Sequence, residues 1–355
     1  MPIGIDIFSG AGGLSLGAEM AGFEIRYAVE IDKSAAMTYR HNHPGTLVLE
    51  DDIHNIDPLE HLRTDDHISI VFGGPPCQGF SFSNTKTRNI QNPSNSLFEE
   101  FLRFVSVLQP DWFLFENVEG FYRFEKGTLH NRVKHCFEEL GYTVNDAIVV
   151  ASDYGVPQHR NRFIMVGNRN GILFQFPDKQ EKVYSVIDAI GDLPELKNGQ
   201  MDEFLPYKCS AKEAGEYAQL MRKGSRTSKQ NFVSRNADYV IERYKYIGQG
   251  QNWRAIPKEL MTNYKDKSKC HSGIYKRLIA DKPSIVISNY RKNMLIHPWQ
   301  DRGLSVREAA RLQSFPDRFI FNGTLMDIQQ QIGNAVPPLL ANAVFEKIKE
   351  YLLAN

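Results

Sequence analysis

An α/β fold with a doubly wound, mostly parallel sheet and a second, smaller domain is predicted by three observations. Short apolar runs alternate with helix-period segments through the first half of the chain. A glycine-rich turn follows the first run directly, and acidic residues close the second and third runs. A sheet wound in this way gathers such residues along the edge where its ligands bind.

The elements follow in order. Residues 3–8, Ile-Gly-Ile-Asp-Ile-Phe, make the first strand, and the turn Gly10-Ala11-Gly12-Gly13 leads into a helix at 14–21. Further strands are expected at 25–31, 47–53, 68–72, 112–115, 147–150 and 163–166. Helix 97–108 places Leu97, Phe101, Phe104, Val105 and Leu108 on one face, and helix 129–140 repeats that period. Cys136 shares a helical face with Val133, Phe137 and Leu140, which reads as core.

After residue 177 the rhythm gives way to polar sequence rich in Lys and Tyr, with no clear element pattern. Ser305 with Glu308 then marks a capped helix start, and a last helix spans 338–353. The expected organisation is a catalytic and cofactor-binding domain at 1–177 and a small domain at 178–324. A C-terminal helical segment, 325–355, returns to the first domain.

The chain has 355 residues, 42% hydrophobic and 24% charged, which suits about two ordinary globular domains and excludes disordered or coiled-coil classes. Cys77, Cys136, Cys209 and Cys270 are at least 59 positions apart, so no C-x-x-C pair is present and no metal site is expected. The start lacks a basic leader, and no stretch has the roughly 18 apolar residues of a membrane span. A cytoplasmic protein without membrane contact is expected. Net charge is zero, yet residues 1–177 carry 14 basic and 22 acidic side chains, whereas 178–303 carry 23 and 15. The middle segment therefore suits a polyanion, or else a solvated basic surface.

Chemistry is concentrated at the strand ends. The Gly10 turn suits a nucleoside ligand approaching backbone, and it is not a phosphate-cradling P-loop. Glu30 lies where ribose hydroxyls are accepted, and Asp52 closes the next run. Cys77, in Gly73-Gly74-Pro75-Pro76-Cys77-Gln78, has a nucleophile's position, and Glu116 ends a further run. Arg160 and Arg162 are two apart on the approach to a strand, which would point both to one face. Taken singly, each has a plainer reading as a tight turn, a cap or a salt bridge.

Together these motifs, in order, make the chain resemble the cytosine carbon-5 DNA methyltransferases, the prokaryotic restriction-modification type in particular. The resemblance runs from Asp6-Ile7-Phe8-Ser9-Gly10 through Pro75-Pro76-Cys77-Gln78, Glu116-Asn117-Val118 and Gln158-His159-Arg160-Asn161-Arg162 to Arg311-Leu312-Gln313 and Gly333-Asn334-Ala335-Val336. It implies an S-adenosylmethionine-dependent methyltransferase sheet and transfer of a methyl group to carbon 5 of a flipped cytosine. Cys77 would add to carbon 6, Glu116 would protonate ring nitrogen 3, and Arg162 with Arg160 would hold O2 and the active-site anions.

The resemblance further implies that Phe8, Gly10, Gly12, Glu30, Ile31, Asp52, Ile53, Pro76, Leu97, Asn334 and Val336 bind S-adenosyl-L-methionine. Gln78, Ser81, Lys86 and Arg88 would contact DNA, and the region 178–303 would read the target sequence. Double-stranded DNA is the implied partner of a monomeric enzyme, alongside a cognate restriction endonuclease acting on the same site without direct contact. One departure is Asn92-Pro93-Ser94, where the family carries an acidic residue and an arginine before Leu97. The tRNA branch of the family has a Cys-Phe-Thr tripeptide that neither Cys209-Ser210-Ala211 nor Cys270-His271-Ser272 supplies. A catalytically silent paralogue would have lost the nucleophile or the glycine turn, and a nicotinamide oxidoreductase leaves Pro75-Pro76-Cys77 unexplained.

Overall fold

The computed structural model describes residues 1–76, 97–261, 272–288, 290–292 and 294–354. They divide into two compact units, one of residues 1–154, 161–179 and 336–355, the other of 155–160 and 180–335.

The first unit is built on a seven-stranded sheet. Its elements are β1 (Ile3–Ile7), α1 (Gly13–Met20), β2 (Glu24–Val29), α2 (Lys33–Asn42), β3 (Leu47–Leu49), β4 (Ile68–Gly73), α3 (Leu97–Leu108), β5 (Trp112–Val118), α4 (Glu119–Arg123), α5 (Thr128–Glu139), β6 (Thr143–Val150) and β7 (Asn161–Asn168). Strand order is β3-β2-β1-β4-β5-β7-β6, with β7 antiparallel to both neighbours and the remaining pairs parallel. The sheet is mostly parallel, with helices wound about it. The winding reverses between β1 and β4, which opens a crevice at the carboxyl ends of those strands.

Burial follows from the apolar runs. β4 is buried throughout, and Phe101, Phe113, Phe115 and Phe137 pack together, Phe113 stacked on Phe137 at 3.9 Å. Cys136 is only partly buried, at the margin of the helix face that sinks Val133 and Phe137. Two strand expectations change. The third strand stops at Leu49, so Asp52 caps a short 3-10 turn at Ile53–Asn55 instead of ending a strand. The seventh begins two residues early, at Asn161, which takes in Arg162 and leaves Arg160 outside it.

The last helix of the chain, α11 (Pro338–Ala354), packs on α1 in this first unit. A Cβ on Gly17 would stand 2.4 Å from the Ala341 Cβ, so the two helices approach as closely as backbone allows. Lys349 donates to the Ala21 carbonyl at 2.7 Å, and the Phe345 ring lies edge-on to Phe23 and Phe72.

The second unit contains α6 (Val186–Ile190), β8 (Met201–Leu205), α7 (Glu216–Arg222), β9 (Ser228–Phe232), α8 (Asp238–Tyr244), α9 (Val306–Leu312) and α10 (Leu325–Asn334), with β8 and β9 antiparallel. Capping boxes open α6, α9 and α10. Arginines run through its interior. Arg311 bridges Asp192 and Asp317, Arg302 is paired with Glu308, and Arg307 donates to the carbonyls of Lys229, Pro316 and Phe319. Arg243 and Arg277 are buried too, spending their donors mainly on backbone carbonyls. Part of the positive charge of 178–303 is therefore internal structure and not surface for a polyanion.

Candidate active site

Parallel register builds the site. Ile7 pairs with Val29 and with Gly73, Val29 pairs with Leu49, and Gly73 pairs with Phe115. The next residue on each chain is Phe8, Glu30, Glu50, Gly74 and Glu116, a single row along the carboxyl edge of the sheet. Four of these five positions are a carboxylate or an aromatic ring, with Phe8 at the centre and Gly74 between it and Glu116.

At the β1 end, Phe8 (φ 61°), Gly10 (φ 55°) and Gly12 (φ 90°) all adopt left-handed backbone. For Phe8 this is a strained conformation of the kind held at functional sites. A Cβ on Gly12 would meet the His43 ring at 2.4 Å, whereas the corresponding side of Gly10 is open. The Gly10 amide donates to Glu30 Oε2 and the Asp32 amide to Oε1, each at 2.7 Å. A carboxylate has lone pairs beyond these two bonds, so Glu30 can still accept hydroxyl donors. Burial pushes the Glu30 pKa up, with the two amides working against it.

Ile31, 67% exposed, offers an apolar surface beside Glu30. Asp52 accepts from the His54 amide and ring nitrogen, and these bonds hold its pKa below the ordinary range. Ile53 is buried beneath it, Leu97 opens α3 half-buried against the core, Pro76 is exposed, and Val336 is buried in the same unit. An open glycine edge, a carboxylate with free lone pairs and an apolar exposed neighbour fit a nucleoside-bearing cofactor.

On β5 and β7, cross-strand geometry makes an ion pair. Glu116 faces Ile164 and Val118 faces Arg162, so Glu116 and Arg162 are diagonal neighbours on one side of the sheet. Arg162 Nε lies 2.7 Å from Glu116 Oε1, with both side chains about nine-tenths buried. Burial raises the Glu116 pKa and Arg162 opposes that rise. A buried carboxyl group whose pKa is raised is a better proton donor to a ring nitrogen than an exposed one, and the guanidinium beside it fixes its place.

Two neighbours of this pair were not singled out from sequence. A Cβ on Gly74 would stand 2.5 Å from Glu116 Oε2, so glycine is what leaves the carboxylate room. Asn117 Nδ2 donates to the Pro75 carbonyl at 3.1 Å, tying the start of the Pro75-Pro76 segment to β5. Their signal was available in the Gly73-Gly74-Pro75-Pro76 and Glu116-Asn117 runs themselves. A third feature is Asp6, buried and bonded by Ser15, which is in turn bonded by Tyr39; burial holds its carboxyl well above the usual range.

The sequence reading grouped Arg160 with Arg162, but their settings differ. Arg160 precedes the strand and belongs to the second unit, where its Nη2 donates to the Gly333 carbonyl at 2.8 Å. Asn334, the end of α10, is exposed in that same unit. Cys77, Gln78, Ser81, Lys86 and Arg88 lie outside the described residues.

Comparison with known proteins bears on this arrangement. The family model for C-5 cytosine-specific DNA methylase matches residues 3–350. The chain is 36% identical to the Type II methyltransferase M1.HphI of Haemophilus parahaemolyticus over 348 residues, covering 97% of this chain and 86% of that protein. It is 35% identical to the Type II methyltransferase M.DdeI of Desulfomicrobium norvegicum, covering 98% and 88%. A crystal structure assigned to a DNA modification methyltransferase encoded within a prophage (E. coli) is similar with a TM-score of 0.80 and 28% identity, covering 99% of this chain and 100% of that one.

Proposed function

The chain belongs to the C-5 cytosine-specific DNA methylase family, and from that premise we propose a specific assignment of its chemistry. Glu116 and Arg162 receive a flipped cytosine, Cys77 adds to its carbon 6, and the Phe8–Glu30–Asp52 edge holds S-adenosylmethionine. The observation that carries this reading is the buried Glu116–Arg162 pair at the strand end beside Gly74, three residues before Cys77.

The pyrimidine ring alone is a poor nucleophile at carbon 5. Addition of the Cys77 thiolate to carbon 6 pushes electron density to carbon 5 and ring nitrogen 3. Glu116, whose pKa burial raises, donates its proton to nitrogen 3 as that density arrives, and Arg162 holds the carboxyl group in place and bonds O2. S-adenosylmethionine, when bound, supplies the electrophilic methyl group that carbon 5 accepts. Methyl transfer leaves S-adenosylhomocysteine; loss of the carbon-5 proton to solvent then expels Cys77 as thiolate, nitrogen 3 returns its proton to Glu116, and the product is 5-methylcytosine. Glu30 and Asp52 would hold ribose hydroxyls and the adenine edge, with Phe8, Ile31, Ile53, Leu97 and Val336 enclosing the base and Gly10, Gly12, Pro76 and Asn334 completing the contacts.

The target base must leave the duplex, at a cost of a few kcal/mol, so contacts elsewhere on the DNA have to offset that loss. The region 178–303 supplies them in this proposal, together with Gln78, Ser81, Lys86 and Arg88. The names of its relatives, Type II methyltransferases, support a methylase of a restriction-modification system; in this proposal it is a monomeric, cytoplasmic enzyme protecting sites that a cognate endonuclease cuts. Transfer of labelled methyl from S-adenosylmethionine to unmethylated duplex DNA by wild type and Cys77→Ser, with bisulfite sequencing of the product, tests the assignment. Wild type alone should label, at cytosines of one sequence context. Labelling of tRNA in place of DNA, or equal labelling by Cys77→Ser, would overturn it.

A further inference from the structure

The end of α10 is held by side chains from two distant parts of the sequence, all within the second unit. An α-helix leaves its last carbonyls without intrahelical donors. Here the Ile332 carbonyl accepts from Gln313 Nε2 at 2.6 Å, the Gly333 carbonyl from Arg160 Nη2 at 2.8 Å, and the Gln331 carbonyl from the Ala335 amide. Gln313 is itself fixed by Gln158, which donates to its Oε1 at 3.0 Å and to the Leu312 carbonyl at 3.1 Å. Gly333 is pinned from another side, because a Cβ there would stand 2.2 Å from the Ser288 carbonyl oxygen. Arg160 is 1% exposed, and its Nε and Nη1 have no hydrogen-bond partner among the described residues. A cation suits this place, since the negative end of the α10 dipole points at it.

We propose that Arg160, Gln158 and Gln313 are positioning residues that clamp the Ile332–Gly333 carbonyls and so fix the Asn334 turn for S-adenosylmethionine, and that Arg160 does not contact the cytosine. This rests on the assignment of Asn334 to the cofactor made above. Each of these two carbonyls has a buried side-chain donor of its own, and the close approach of Ser288 leaves Gly333 no room for a side chain. Asn334 itself stays exposed at the end of the clamped segment.

The test compares Arg160→Met, Arg160→Lys and Gly333→Ala with wild type. Binding of S-adenosylhomocysteine is measured by calorimetry, target-DNA binding by fluorescence anisotropy, and the single-turnover methylation rate at saturating cofactor and DNA. Arg160→Met and Gly333→Ala should weaken S-adenosylhomocysteine binding about tenfold, the scale of one lost charge-assisted hydrogen bond. The saturating rate and DNA affinity should stay within about threefold, well short of what a lost transition-state contact costs. Arg160→Lys, which keeps the charge, should recover most of the binding, and Gly333→Ala carries the contrast if Arg160→Met does not fold. A fall in saturating rate or DNA affinity with cofactor binding unchanged would overturn the proposal and return Arg160 to the substrate. Failure of wild type itself to bind S-adenosylhomocysteine would instead remove the cofactor assignment on which the proposal stands.

Discussion

In the proposed mechanism Glu116 holds a proton until ring nitrogen 3 takes it; burial raises its pKa, which suits that role, while Arg162 pulls it back. Glu116→Gln keeps the shape but has no acid to offer, and is expected to lower the single-turnover rate about 10²–10⁴-fold with cofactor binding little changed. A rate equal to wild type would remove Glu116 from proton transfer. Because the acid must be protonated, the rate falls as pH rises through its folded pKa. Arg162→Gln removes the cation that lowers this pKa, so the alkaline limb measured on the residual activity should move to higher pH; a shift to lower pH would contradict the pairing. Gly74→Ala drives a methyl group into the carboxylate and should cut turnover at least tenfold, as misplacing a catalytic group does. The glycine turn, Glu30 and Glu116 were legible from sequence because their residue types and spacing follow from strand-end chemistry. The division between Arg160 and Arg162 was not, since it depends on the strand starting at Asn161, two residues before the apolar run at 163–166, and so taking in only the second arginine.

Among the elements, the contact of α1 with α11 holds the helix that follows the glycine turn. Gly17→Ala places a methyl group against the Ala341 side chain and neighbouring backbone, and overpacking of this kind costs about 1–3 kcal/mol. Chemical denaturation should show that loss, and an unchanged midpoint would mean the helices can separate freely. In α9, burial alone would raise the Glu308 pKa, but Arg302, His297 and the Ser305 amide lower it from 4.5 to about 2. The stabilisation is full above the unfolded pKa and is lost as pH falls toward about 2. Glu308→Gln should therefore cost about 3 kcal/mol at neutral pH and flatten the acid dependence across that window, read by denaturation at a series of pH values. The Ser305–Glu308 cap was legible because a capping box is a local pattern. The antiparallel β7 was not, because strand direction is set by pairing with β5 and β6 and leaves no mark on an apolar run.

At the scale of the whole molecule, the sequence after residue 177 resisted parsing because its interior contains arginines, which pattern reading assigns to the surface. Arg302, Arg307 and Arg311 are at most 2% exposed. The cations left outside, among them Lys212, Lys223, Arg226, Arg235, Arg254 and Lys258, are the ones available to phosphate. Binding to duplex DNA should weaken with salt at a slope of about −0.9 per phosphate contact, and each exposed cation changed to Ala at a contact should reduce that slope by roughly one. A salt-independent affinity would separate the basic region from DNA. The central claim, addition of Cys77 to carbon 6, is tested most directly with duplex DNA carrying 5-fluorocytosine and saturating S-adenosylmethionine. Fluorine cannot leave as the carbon-5 proton does, so the enzyme cannot be expelled. Wild type should form a denaturant-resistant complex with the DNA that peptide mapping traces to Cys77, and Cys77→Ala should form none. A wild-type enzyme that methylates ordinary DNA but leaves no trapped complex, or a complex mapped to another residue, would contradict the account.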